Sequence, residues 1–179
     1  MIKHADRRIR RALDDLVLPD EVTVDSLFAA VQSVYPKPLE LLRGEPPIEG
    51  LHANGLWLTR PDTGTDAVWI APELSGAAAV HSLAHEIGHI LLGHEPVVLR
   101  TKPQYEPEPE DFHFLSPDFL GGCLIGRTRS YNGPQDPTYQ QIETEAERFA
   151  FMLRRTADHK ARDSQFGADP FLDRLHHSL

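Results

Sequence analysis

The sequence predicts an α+β domain in which a small, largely antiparallel sheet packs against one metal-binding helix. Three observations carry this. Residues 53–60 and 65–71 are rich in strand-forming residues on either side of Pro61-Asp62-Thr63-Gly64, a turn sequence. Residues 76–91 hold apolar side chains at helical spacing. Further helical stretches lie on both sides of this unit. A length of 179 residues suits a single domain spanning residues 1–179. A chain of this size hides roughly 70% of its unfolded surface, enough to fold without covalent staples.

In chain order, Ile9, Ala12, Leu13 and Leu16 recur at i, i+3, i+4 and i+7, which predicts an amphipathic helix over 4–17 closed by Pro19. Leu27, Phe28, Val31, Val34 and Tyr35 repeat that spacing up to Pro36. These helices make up residues 1–36. Residues 38–94 carry the strands and the central helix. Within them, 38–43 is a strand, 53–60 places Leu56 and Leu58 on one side, and 65–71 completes the hairpin. Pro72 ends it, and Ser75 can cap a helix that starts near Gly76 and stops at Gly93. Residues 95–139 read as a proline- and acid-rich loop. Glu106-Pro107-Glu108-Pro109-Glu110 is neither helix nor central strand. In the C-terminal helical region, 140–179, Ile142, Ala146, Phe149, Ala150 and Leu153 mark a helix over 140–157. Asp169-Pro170 then begins a short last helix ending at His177.

Acidic residues outnumber basic ones 27 to 18, for a net charge of -9. An acidic surface repels phosphate, so direct nucleic-acid binding is not expected. Arg7, Arg8, Arg10 and Arg11 then read as a solvated helix face. The stretches 20–50 and 95–118 each hold six acids and two bases, so they carry most of the excess. A single cysteine, Cys123, excludes an intrachain disulfide framework and a Cys-rich zinc finger. It reads as a packed small residue, since no base neighbours it. The N-terminal residues do not have the form of a secretory signal, and no apolar run approaches the roughly 20 residues that cross a bilayer. A cytoplasmic protein with no membrane partner is the expectation.

Residues 85–89 read His85-Glu86-Ile87-Gly88-His89. Positions i and i+4 share one helix face, about 5–6 Å apart at Cβ, so both imidazoles can hold one metal ion. Zinc suits imidazole and carboxylate ligands, and a catalytic zinc takes three from the protein. Glu86 points about a quarter-turn away, placed to take a proton from the attacking water. The bland alternative is a helix with two surface histidines and a solvated glutamate. The third ligand sets the subclass. A metzincin would place Gly at position 92 and His at position 95, where this chain has Leu92 and Glu95. Gly93 and His94 are out of register, which rejects that class. Glu143 and Glu147 lie one turn apart at the edge of the later helix's apolar face, with Glu145 turned away from both. Glu143 can complete the trio, and Glu147 can accept from the other ring nitrogen of a ligating histidine. Without the histidine motif, these acids would read as a first turn that complements the helix dipole.

The stretches HSLAHEIGHILLGH (81–94) and ETEAERFA (143–150) together resemble the ImmA/IrrE-type metallopeptidases. The resemblance covers residues 50–94 and 140–155. It implies a zincin-like fold, zinc held by His85, His89 and Glu143, and Glu86 as catalytic base. It also implies cleavage of a separate helix-turn-helix repressor, a basic DNA-binding protein, in a stress or mobile-element circuit. The family commonly carries Asn or Asp where this chain has Glu147. The 53 residues between His89 and Glu143 exceed the spacing of many relatives, and Met152-Leu153-Arg154-Arg155 replaces a Met-Pro-type ending.

Among the remaining histidines, His81, one turn before His85 on the same face, could line the cleft but reads first as a helix-edge residue, and His94 reads as a C-cap partner. His113, beside Asp111, reaches the metal only if the loop folds over it, and His176 and His177 read as exposed. Tyr131 or Tyr139 could donate to a tetrahedral intermediate, and the spacing leaves both open. A second function also fits the sequence. A non-proteolytic regulatory protein could keep the zinc site and dock a basic partner through the acidic 95–118 segment. A metal-dependent hydrolase of non-peptide substrates is weaker, because the chain has no phosphate-binding glycine loop.

Overall fold

The computed structural model describes residues 2–47, 53–98 and 137–166. They form an α+β arrangement of four helices and a small sheet. Helix α1 spans Ile2–Asp14 and α2 spans Val24–Val34. Strand β1 (Leu39–Arg43) precedes the β2–β3 hairpin, Gly55–Arg60 and Thr65–Ile70. Helix α3 is Gly76–Leu91, β4 is Val97–Val98, and α4 is Pro137–Phe166. Residues 99–136 lie outside the described residues, as does the helix expected at 169–177. With them go Asp111, His113, Cys123, Tyr131, His176 and His177.

Local chemistry explains the element ends. Thr23 caps α2, with its Oγ1 accepting from Ser26 N–H at 3.1 Å while Ser26 Oγ accepts from Thr23 N–H at 2.9 Å. The helix therefore starts three residues before the apolar pattern does. Ser75 stands at the N-cap of α3 as expected, but its hydroxyl makes no capping bond, and Gly76 turns the chain at φ 52°. Pro137 opens α4, where a missing N–H costs nothing. That helix is 30 residues long; it starts less than a turn before the expected 140–157 and runs more than two turns past it at the C-terminal end.

The sheet order is β1-β3-β2-β4. It is mixed, not largely antiparallel. β2 and β3 are antiparallel, whereas β1 is parallel to β3 and β4 is parallel to β2. The physical reason is connectivity. Only β2 and β3 are joined by a tight turn, closed by Gly64 N–H to Arg60 C=O at 2.9 Å, and a tight turn forces antiparallel pairing. β1 comes before the hairpin and β4 after α3, so neither is so constrained. β4 falls inside the segment expected to be loop.

The hairpin is covered on both faces. Trp57, Val68 and Ile70 face the helices and join a core with Ile9, Leu27, Leu83, Ile87, Phe149 and Leu153. Leu56 and Leu58 do share a side, with Ala67, Trp69 and Ala71, and it is the opposite one. Most side chains of α3 from Ser82 to Ile90 are buried, because the sheet, α2 and α4 enclose it. α1 is tied to α4 by an Arg148–Asp6 ion pair, and Lys160 Nζ donates to Leu18 C=O at 2.7 Å.

Candidate metal centre

The centre is built where α3 crosses α4. A Cβ on Gly88 would stand 3.1 Å from Ala146 Cα, Ala146 O and Phe149 Cβ. No side chain fits between the backbones there, so the glycine sets the approach. Glu143, one turn before Ala146, then reaches across to the face that carries His85 and His89. Their Nε2 atoms are 3.1 Å apart, with ring planes at 66°. Glu143 Oε2 is 3.3 Å from His85 Nε2, and its Oε1 is 3.6 Å from His89 Nε2. One donor atom from each residue lies within 4.8 Å of the others, so this trio can hold a metal ion.

The distances test that fit. Four ligands around zinc, bonded at about 2.0–2.1 Å, stand about 3.3–3.4 Å apart in a tetrahedron. The two Nε2 atoms, 3.1 Å apart, stand close to that edge, and Glu143 meets the two rings through different oxygens, Oε2 at 3.3 Å and Oε1 at 3.6 Å. The donor set, two imidazole nitrogens and a carboxylate, is of the kind that leaves one position for a non-protein ligand.

The other ring nitrogens are held too. His85 Nδ1 is 3.4 Å from Glu147 Oε2, the role expected for Glu147, and the same oxygen is 3.3 Å from His81 Nε2. His89 is fully buried, and its Nδ1 is 2.9 Å from His94 Nδ1. Burial alone would lower the His85 pKa and is the largest influence. The Glu143 hydrogen bond, the charges of Glu86 and Glu143, and Glu147 outweigh it and raise the pKa. Burial, with the charge of His89, pushes His94 down to about 4 against the pull of Glu145.

Glu86 is only 4% exposed. Trp57 N–H on β2 donates to its Oε2 at 2.8 Å, so the sheet fixes the carboxylate. Gly55 makes room for it, since a Cβ there would meet Ser82 Oγ at 2.7 Å and Glu86 Cγ at 3.1 Å. Glu86, Glu143, His85 and Glu147 line a cleft of about 410 Å³. Tyr139 and His81 line it as well. Of the two candidate tyrosines, Tyr139 is therefore at the site, while Tyr131 is outside the described residues. His81 is a wall of the cleft rather than only a helix-edge residue.

Sequence reasoning missed the full roles of two residues, His94 and Glu145. His94 does cap the helix, through its N–H to His89 C=O at 2.9 Å, but its ring also reaches His89. Glu145 turns away from Glu143, yet it is buried at 6% exposure rather than solvated. It accepts from Gln141 Nε2 at 2.8 Å and from Arg8 Nη1 at 3.3 Å. A readable signal existed for His94. Glycine directly after a helix end places the next residue beside the last turn. Comparison with protein-family models, curated proteins and solved structures finds no match to this chain.

Proposed function

We propose that the chain is a zinc-dependent endopeptidase of zincin-like fold. The observation that carries the reading is one cleft lined by His85 and Glu143, two of the trio they form with the buried His89, together with a buried carboxylate, Glu86. His85, His89 and Glu143 would hold the zinc, which would supply Lewis acidity to acidify a water and polarise a peptide carbonyl. Glu86 is the general base. Its carboxylate, fixed by Trp57 N–H, takes the proton of the attacking water and returns it to the leaving amine. Glu147 orients His85 through Nδ1. Tyr139 and His81 line the same cleft, within which the peptide is bound.

The substrate class comes from the resemblance of residues 81–94 and 143–150. It is a separate helix-turn-helix repressor, basic and DNA-binding, cleaved in the cytoplasm. The net charge of -9 complements such a partner. In the test, purified Glu86→Gln is incubated with a candidate repressor. Zinc binding is retained and cleavage is lost. Unchanged cleavage overturns the general-base role. In cells, the same variant separates the two functions, because a non-proteolytic binding protein still relieves repression without Glu86.

A further inference from the structure

The turn that ends α3 forms a Schellman motif. Gly93, at φ 69°, donates to Ile90 C=O at 3.1 Å, and His94 donates to His89 C=O at 2.9 Å. In this motif the residue after the glycine lies against the residue that accepts the longer bond, usually through an apolar contact. Here the two residues are His94 and His89, with Nδ1 atoms 2.9 Å apart. At that separation one nitrogen carries the proton and the other accepts it.

We propose that His94 is a positioning residue for the metal centre and selects the tautomer of His89, with Glu145 and Arg8 holding it in place. This rests on the reading that His85, His89 and Glu143 hold a metal. His89 must offer the lone pair of Nε2 to the metal, so its proton sits on Nδ1 and is donated to His94 Nδ1. His94 then carries its own proton on Nε2, which faces Glu145 Oε2 at 3.6 Å. A carboxylate at that point favours this tautomer over the reverse. Glu145 is held by Gln141 and Arg8, and Arg8 Nη2 also donates to Leu92 C=O at 2.6 Å. One guanidinium from α1 thus fixes both the carboxylate and the turn that carries His94. The metal-facing geometry of α3 is set from a helix about 80 residues earlier in the chain.

The test measures zinc affinity and the visible spectrum of the cobalt(II)-loaded protein for wild type, His94→Phe and His94→Gln. Circular dichroism and metal-free melting report folding. The Phe variant fills the space without accepting a proton, and zinc affinity falls about 10–100-fold with a shifted cobalt spectrum. The Gln variant accepts from His89 and donates towards Glu145, so affinity returns to within a few-fold of wild type. A purely structural cap predicts lower melting temperatures but wild-type affinity and spectrum for the folded Phe variant, and that result overturns the proposal. So does a Gln variant as weak as Phe. If the wild type binds neither zinc nor cobalt, the metal-centre reading itself is overturned, and this proposal with it.

Discussion

At the residue scale, one missing methyl governs the centre. Gly88→Ala places Cβ 3.1 Å from backbone atoms of Ala146, which cannot swing aside. Overpacking costs about 1–3 kcal/mol, against a helix-propensity gain of about 0.5–1 kcal/mol. Urea unfolding should show a net loss of stability, and zinc affinity should fall because Glu143 is carried away from the histidines. Ala146→Gly in the same chain should restore neither, because the Ala146 atoms that the new Cβ meets are backbone and remain. Full affinity in Gly88→Ala alone would show that the helices separate without moving the carboxylate. The trio and Glu147 were legible because i and i+4 spacing fixes which residues share a face. The network of Glu145 was not, since its burial depends on Arg8, 137 positions away.

At the scale of elements, α4 does two jobs. It supplies Glu143 and Glu147 and it buries Phe149, Ala150 and Leu153 against α3 and the sheet. Phe149 is fully buried, so Phe149→Ala should lose about 3–5 kcal/mol in urea unfolding. Phe151 on the same helix is 64% exposed, and Phe151→Ala should stay within about 0.5 kcal/mol of wild type. Similar losses for the two variants would mean that α4 is not docked as described. The four helices and the hairpin were readable from periodicity and turn chemistry. Strand direction outside the hairpin was not, because no local signal states which edge a strand joins. β4 has only two residues, too few to show any period.

At the scale of the molecule, a metal held by the folded trio would be linked to folding. Free zinc at 100 times its dissociation constant should raise unfolding stability by about 2.7 kcal/mol, and a chelator should remove the gain. An unchanged melting temperature would count against native-state zinc binding. Alkaline stability has a separate origin, far from the metal ligands in sequence. Tyr35 donates to Asp66, which Lys37 also approaches at 3.5 Å. Burial, then the hydrogen bond and charge of Asp66, push the Tyr35 pKa well above its usual value, with a smaller opposing effect from Trp57. The unfolded phenol ionises near pH 10 while the folded one stays protonated. Its contribution is therefore full below about pH 10 and declines as pH rises above that. Melting temperature should fall between about pH 9 and 11, and less steeply in Tyr35→Phe. Equal slopes would place the alkaline loss elsewhere.

The sequence by itself determined the helices, the hairpin and the candidate ligands, because each follows from spacing within a few residues. It also located the acid excess, which is a matter of counting. The tertiary structure alone decided the mixed sheet, the wall formed by His81 and Tyr139, and the chain of contacts from Arg8 through Glu145 to His94. Those depend on which backbones approach each other. Gly88 and Gly55 permit two of the closest approaches, and a residue without a side chain carries no pattern of its own.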